Sequence, residues 1–148
     1  MKPEFRKLRL QQLERALKPF LAIKAPRPQK GWLRAIREAS GVTIREMGKR
    51  LGKVPSIVLY LEKSETDYHI SLGNLRDAAD ALGCELVYAL VPKSGSIYEL
   101  SEQRARTAAS ENVQAVEHTM ALENQAVGGV PEKIDEETAR LLKRGRNK

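Results

Sequence analysis

A mostly α-helical fold is predicted by three features of the 148-residue sequence. Apolar residues recur at helical intervals along most of the chain. Residues 97–127 contain neither glycine nor proline and are rich in Ala, Glu, Gln and Arg. Only CELVYALVP, at Cys84–Pro92, has the composition of a strand. The expected organisation is a basic helix and proline-containing linker over 1–30, a helical domain ending in one short strand over 31–92, and a long C-terminal helical extension over 93–148.

Taking the elements in order, Glu4–Lys18 reads as a helix with Phe5, Leu8, Leu13 and Leu17 on or near one stripe. Pro19 should stop or kink it. KAPRPQKG, at 24–31, holds two prolines and three cations with little to bury, and reads as an extended linker. Such an arm fits along phosphates or in a minor groove, and it fits an inert tether equally well. Trp32–Ala39 is the next helix, with Leu33, Ile36 and Ala39 facing inward. Ser71 caps a helix over Leu72–Leu82, where Leu72, Leu75, Ala79 and Leu82 repeat, and Gly83 ends it.

The strand raises a pairing problem. Its edge residues Leu86, Val87, Tyr88, Ala89, Leu90 and Val91 are apolar on both faces, and nothing else in the sequence reads as a second strand. An open apolar edge seeks a partner. The economical solution is the same strand from a second copy, antiparallel about a two-fold axis, which makes a homodimer. The alternative is a coil packed on its own domain. After it, Ser96 and Glu99 suggest a capping box for the long helix, with Ile97 and Leu100 near its start and Val113, Val116 and Met120 as a later stripe. Gly128 and Gly129 should end that helix, and Asp135–Arg144 reads as one more short helix, acids first and bases last.

Thr43–Glu62, TIREMGKRLGKVPSIVLYLE, has the spacing of two helices joined by a tight turn. Thr43 and Glu46 form a capping box, and Met47 and Leu51 face the core. Gly48 marks the close approach, and Gly52 takes the turn, where positive φ is cheap only for glycine. Ile57, Val58 and Leu61 plant the second helix. The first residues of that helix are unusual for a DNA reader. Lys53 stands where an apolar residue is usual, Val54 where Ser or Thr would cap, and Pro55 removes an amide. On the outward face Ser56 and Tyr60 can hydrogen-bond to base edges, and Leu59 can touch a thymine methyl. Arg34, Arg45, Lys49, Lys53 and Lys63 are placed for phosphates of double-stranded DNA.

Charge agrees with a polyanion partner. Residues 1–53 carry 15 Lys+Arg against 4 Asp+Glu, a net of +11, and the remainder carries 11 against 15, a net of −4. Composition also excludes several classes. Cys84 is the only cysteine, so an intrachain disulfide is impossible. No run approaches the roughly 20 apolar residues of a membrane span, and Arg6, Lys7, Arg9 and Glu14 interrupt any secretory h-region. The expectation is a cytoplasmic protein without membrane contact. His69 and His118 lack ligands at metal spacing. No nucleophile elbow or phosphate-cradling glycine loop is visible, so no enzyme, cofactor or metal centre is expected.

From Gly31 to Pro92, GWLRAIREASGVTIREMGKRLGKVPSIVLYLE and then ISLGNLRDAADALGCELVYALVP resemble the phage-repressor-like (XRE-type) helix-turn-helix proteins. The basic N-terminal helix, WLRAIRE, LGCELVYALVP and HTMALENQ together resemble the group called mobile mystery protein A. Proteins of that kind are similar to the small partners of Fic-domain proteins, which transfer nucleotides onto target proteins. The resemblance implies an antitoxin-like regulator that inhibits a Fic-domain nucleotidyl (AMP) transferase and controls its own operon. The alternative is a DNA-binding transcriptional repressor with no enzyme-inhibiting role. Thr119, Glu123 and Asn124 match the form [S/T]-x-x-x-E-[G/N] of Fic-inhibitory helices, in which the glutamate pairs with an arginine of the nucleotide site. TAASEN, at Thr107–Asn112, matches as well. A Glu123 that is merely solvated is the bland reading of the same helix.

Overall fold

The computed structural model describes residues 2–23, 25–123 and 129–144, and forms seven helices. The chain divides into two compact units. One comprises Lys24–Tyr88, and the other joins Met1–Ile23 to Ala89–Lys148.

The first unit holds α2 (Trp32–Ala39), α3 (Ile44–Leu51), α4 (Pro55–Thr66) and α5 (Leu72–Ala81). Its core is Leu33, Val42, Met47, Val58, Leu61 and Ala78, ringed by Ile44, Leu51, Ile70, Leu75 and Leu82. Side-chain oxygens start two of the helices, satisfying amides that have no partner inside the helix. Thr43 accepts from the Glu46 amide at 3.1 Å, and Ser71 from the Asn74 amide at 3.1 Å. The Thr43–Glu46 box closes only by half, because the Glu46 carboxylate turns to Arg50 at 2.7 Å.

Polar groups complete the packing. The buried Glu65 carboxylate accepts from the Trp32 and Leu33 amides at 2.7 and 2.9 Å, capping α2 in place of a local side chain. Arg27 of the linker donates to the Glu65 and Thr66 carbonyls at 2.8 and 2.7 Å and stacks on the Tyr68 ring. A guanidinium there meets the negative end of α4. The linker is therefore docked at Arg27, and this residue is not an open phosphate contact. Arg37 and Glu62 form a buried bidentate pair at 2.5 and 3.2 Å, and Arg37 also donates to the Val42 carbonyl.

Several inward faces differ from expectation. In α2 Arg37 is buried and Ala39 is exposed. In α4 Ile57 is exposed, while Glu62 and Glu65 join Val58 and Leu61 on the buried arc, because each acid has donors waiting from α2. In α5 Leu72 is exposed and Ala78 lies at the centre.

No strand is present among the described residues. Residues 84–92 are irregular, and Val87, Tyr88, Leu90 and Val91 are exposed, whereas Leu86 and Ala89 are half-buried. In the single chain the segment Leu86–Val91 is therefore not a strand: a ladder needs a second strand, and one copy of the chain offers this segment none.

The second unit packs α1 (Pro3–Leu21), α6 (Ile97–Leu122) and α7 (Val130–Arg144). α1 runs through Pro19 to Leu21, because half-buried Phe20 and Leu21 continue its inward side. That side is Leu10, Glu14, Leu17 and Leu21; Phe5, Leu8 and Leu13 are exposed. Glu14 accepts from the Ile97 amide at 2.9 Å and Ser96 from the Tyr98 amide at 3.1 Å, so two residues of different elements start α6. The Ser96 oxygen thus serves Tyr98, not Glu99. Ala109 and Val113 of α6 and Thr138 of α7 are buried, whereas Leu100 and Val116 are exposed. Ion pairs Arg106–Asp135, at 3.0 Å, and Lys133–Glu117 stitch the two helices. α7 begins five residues before the expected Asp135, with Pro131 in its first turn, where a missing amide costs nothing. Gly128 lies outside the described residues.

Candidate nucleic-acid interface

The joint between α3 and α4 sets the angle of any DNA-facing helix. Lys53 N–H donates to the Gly48 carbonyl at 2.8 Å and Gly52 N–H to that of Lys49 at 3.2 Å, with Gly52 at φ +64°. This is a Schellman ending, and it turns the chain sharply into Val54. A Cβ on Gly48 would stand 2.7 Å from the Lys53 carbonyl oxygen. The close approach that requires glycine is thus to the turn backbone itself.

α4 is then presented with one side buried and one open. By helical period, Val58, Leu61, Glu62 and Glu65 define the inward arc, and Ser56, Leu59, Tyr60 and Lys63 fall on the opposite side. All four are exposed, Leu59 by 51% and Tyr60 by 65%. Val54 caps α4 only in backbone terms, with no side-chain bond to the first turn.

Arg45 and Lys49 on α3 and Lys53 in the turn are exposed, and no ion pair or hydrogen bond engages their side chains or that of Lys63 among the described residues. Arg34 is different. Its guanidinium donates to Glu38 at 2.8 Å, a bond that holds the Glu38 carboxyl below the usual carboxylate range. Arg34, Leu59 and Lys63 share one shallow cleft with Lys30 and Thr66, so a phosphate there would compete with Glu38 for Arg34. Val54 and Ile57 were not anticipated on the open side; the signal was the i, i+3, i+4, i+7 run of Val58, Leu61, Glu62 and Glu65, legible once charged residues are admitted to a core.

The second candidate segment lies on α6. Thr119 Oγ1 donates to the Ala115 carbonyl at 3.0 Å, and the Glu123 amide donates to the Thr119 carbonyl at 3.2 Å. Glu123 caps the end of α6 and is exposed; Asn124 lies outside the described residues. In the upstream copy, Thr107 and Glu111 are exposed, and Asn112 donates to Glu137 of α7 at 3.4 Å. His69 and His118 are both exposed. Among the described residues no group of three or more His, Cys, Asp or Glu can hold a metal ion, and no helix is long and apolar enough to cross a membrane.

Residues 33–88, which run from α2 to just beyond α5, match the family model described as helix-turn-helix. No curated protein and no solved structure matches the chain. The chain therefore carries an XRE-type helix-turn-helix domain over 33–88.

Proposed function

We propose that this protein is a DNA-binding transcription regulator that sets α4 into the major groove and holds phosphates with Arg45, Lys49, Lys53 and Lys63. The observation that carries the reading is the open face of α4 in a helix-turn-helix, with exposed cations on α3, in the turn and on α4 that no acid of the described chain pairs. Ion pairing with DNA releases counterions, so affinity should fall steeply as salt rises. Fluorescence anisotropy of a labelled duplex titrated with the protein measures this. An absence of binding at low salt removes the reading.

The finer function is that of an antitoxin-like partner of a Fic-domain nucleotidyl transferase, through Thr119, Glu123 and Asn124. What favours this copy of the motif over Thr107–Asn112 is the likeness carried by HTMALENQ, together with the engagement of Asn112 by Glu137 of α7, since both glutamates are exposed. A carboxylate there can take the donors of an arginine that a phosphate would otherwise use. With a Fic-type enzyme, Glu123→Gly is expected to release nucleotide transfer without losing the complex, and Glu111→Gly to change little. A Glu123→Gly variant that inhibits as well as the wild type contradicts this role and leaves DNA binding as the function.

A further inference from the structure

We propose that α4 recognises duplex DNA through the C5-methyl groups of its pyrimidines, thymine or 5-methylcytosine, in the major groove. The inference rests on the reading of α4 as the helix that enters DNA, and deepens it by naming what is read.

The open side of α4 is chemically unusual. Val54, Ile57, Leu59 and Tyr60 are exposed by 61, 37, 51 and 65%, so apolar surface surrounds Ser56 at the start of the helix. Between Pro55 and Thr66 there is no Arg, Asn or Gln to contact guanine or adenine in bidentate fashion, and the one cation, Lys63, stands in the last turn of the helix, away from Ser56, and is assigned to a phosphate. The acids that would accept from cytosine are unusable. Glu62 is buried against Arg37, and Glu65 against the first amides of α2. Pro55 supplies no amide. The Ser56 and Tyr60 hydroxyls can reach base edges, but each both donates and accepts and so separates bases poorly; the stronger discrimination left to this face is contact between aliphatic or ring carbon and an apolar group on a base edge. In the major groove that group is the methyl at pyrimidine C5.

Charge complementarity decides the occupant of this apolar face. Lys53 directly precedes it in the chain, Lys63 stands on the same helix, and Arg45 and Lys49 are exposed on the preceding helix, none paired among the described residues. A second copy of the same face would set cation against cation, whereas DNA brings the phosphates those cations need.

Burying one methyl is worth about fourfold in affinity. The test uses alternating copolymers as competitors for a labelled duplex: poly(dA–dT) against poly(dA–dU), and poly(dI–dC) against poly(dI–5-methyl-dC). Within each pair the charge and the hydrogen-bonding edges are equal, and only the methyl differs. The methylated member should compete better in at least one pair, and the pair that responds identifies thymine or 5-methylcytosine as the source. The double variant Ile57→Ser, Leu59→Ser changes exposed side chains, and its thermal melt by circular dichroism checks that it folds. It should lose the preference within the pair and keep a steep salt dependence. Equal competition in both pairs overturns the proposal, as does a preference that survives in the variant. A wild-type dimer that the variant converts to monomer, measured by sedimentation, assigns the face to a second copy and overturns it too. If no polymer competes and no duplex binds at low salt, the underlying DNA-binding reading falls as well; binding without methyl preference leaves that reading standing.

Discussion

Replacing Glu62 with alanine is expected to destabilise the unit formed by residues 24–88 by about 3–5 kcal/mol. Glu62 and Arg37 are 5% and 7% exposed and meet through two hydrogen bonds. The bond from Glu62 raises the Arg37 pKa above its already high value, so the guanidinium stays charged and, without Glu62, would keep only the Val42 carbonyl at 3.2 Å and the half-exposed Glu38 carboxylate at 3.8 Å. Glu62→Gln should cost less, because the amide oxygen still accepts one bond. Arg37→Met combined with Glu62→Leu should recover most of the loss, since no unpaired charge is then buried. Trp32, the only tryptophan, begins α2, the helix that carries Arg37, so its fluorescence in urea reports on this unit in particular. A Glu62→Ala midpoint equal to that of the wild type would show that the pair contributes nothing to the fold.

Changing Lys49, Lys53 and Lys63 together to alanine is expected to flatten the plot of log affinity against log salt by about three units and to weaken duplex binding on the order of a hundredfold at about 0.1 M salt. All three side chains are exposed and unpaired among the described residues, so folding should be unaffected. Only the Lys53 backbone, through its carbonyl, takes part in the close approach to Gly48. An unchanged slope would mean that the phosphates are held elsewhere. Arg34→Ala should have the smallest effect of the proposed phosphate contacts, because Glu38 already occupies that guanidinium.

The helices of the 33–88 domain were legible because their ends are written in local chemistry. Thr43 and Ser71 cap, and Gly52 and Gly83 sit at positive φ. Ser56, Leu59, Tyr60 and Lys63 were readable as an outward face once Val58 and Leu61 were placed inward. What was not legible is long-range polar pairing. Nothing local announces that Glu65 caps α2, that Arg27 closes α4, or that Arg37 and Glu62 are core residues, and so apolar character alone points Ile57 inward where the structure buries Glu62 and Glu65 instead. In α1 the same cause moved the stripe. Glu14 belongs to the inward side because it caps α6, a contact 83 residues away in sequence. At Leu86–Val91 the composition of a strand is legible, but the ladder it expects needs a second copy that a single chain does not supply.

The central claim is that α4 is the surface that meets DNA, and NMR tests it most directly. Amide chemical shifts of the protein, followed as a short duplex is added at low salt, should move most in residues 52–54 and 56–63, with smaller changes at Arg45 and Lys49. Shifts confined to α1 or to α6 and α7, or no shifts at a duplex concentration that saturates the anisotropy signal, would contradict it.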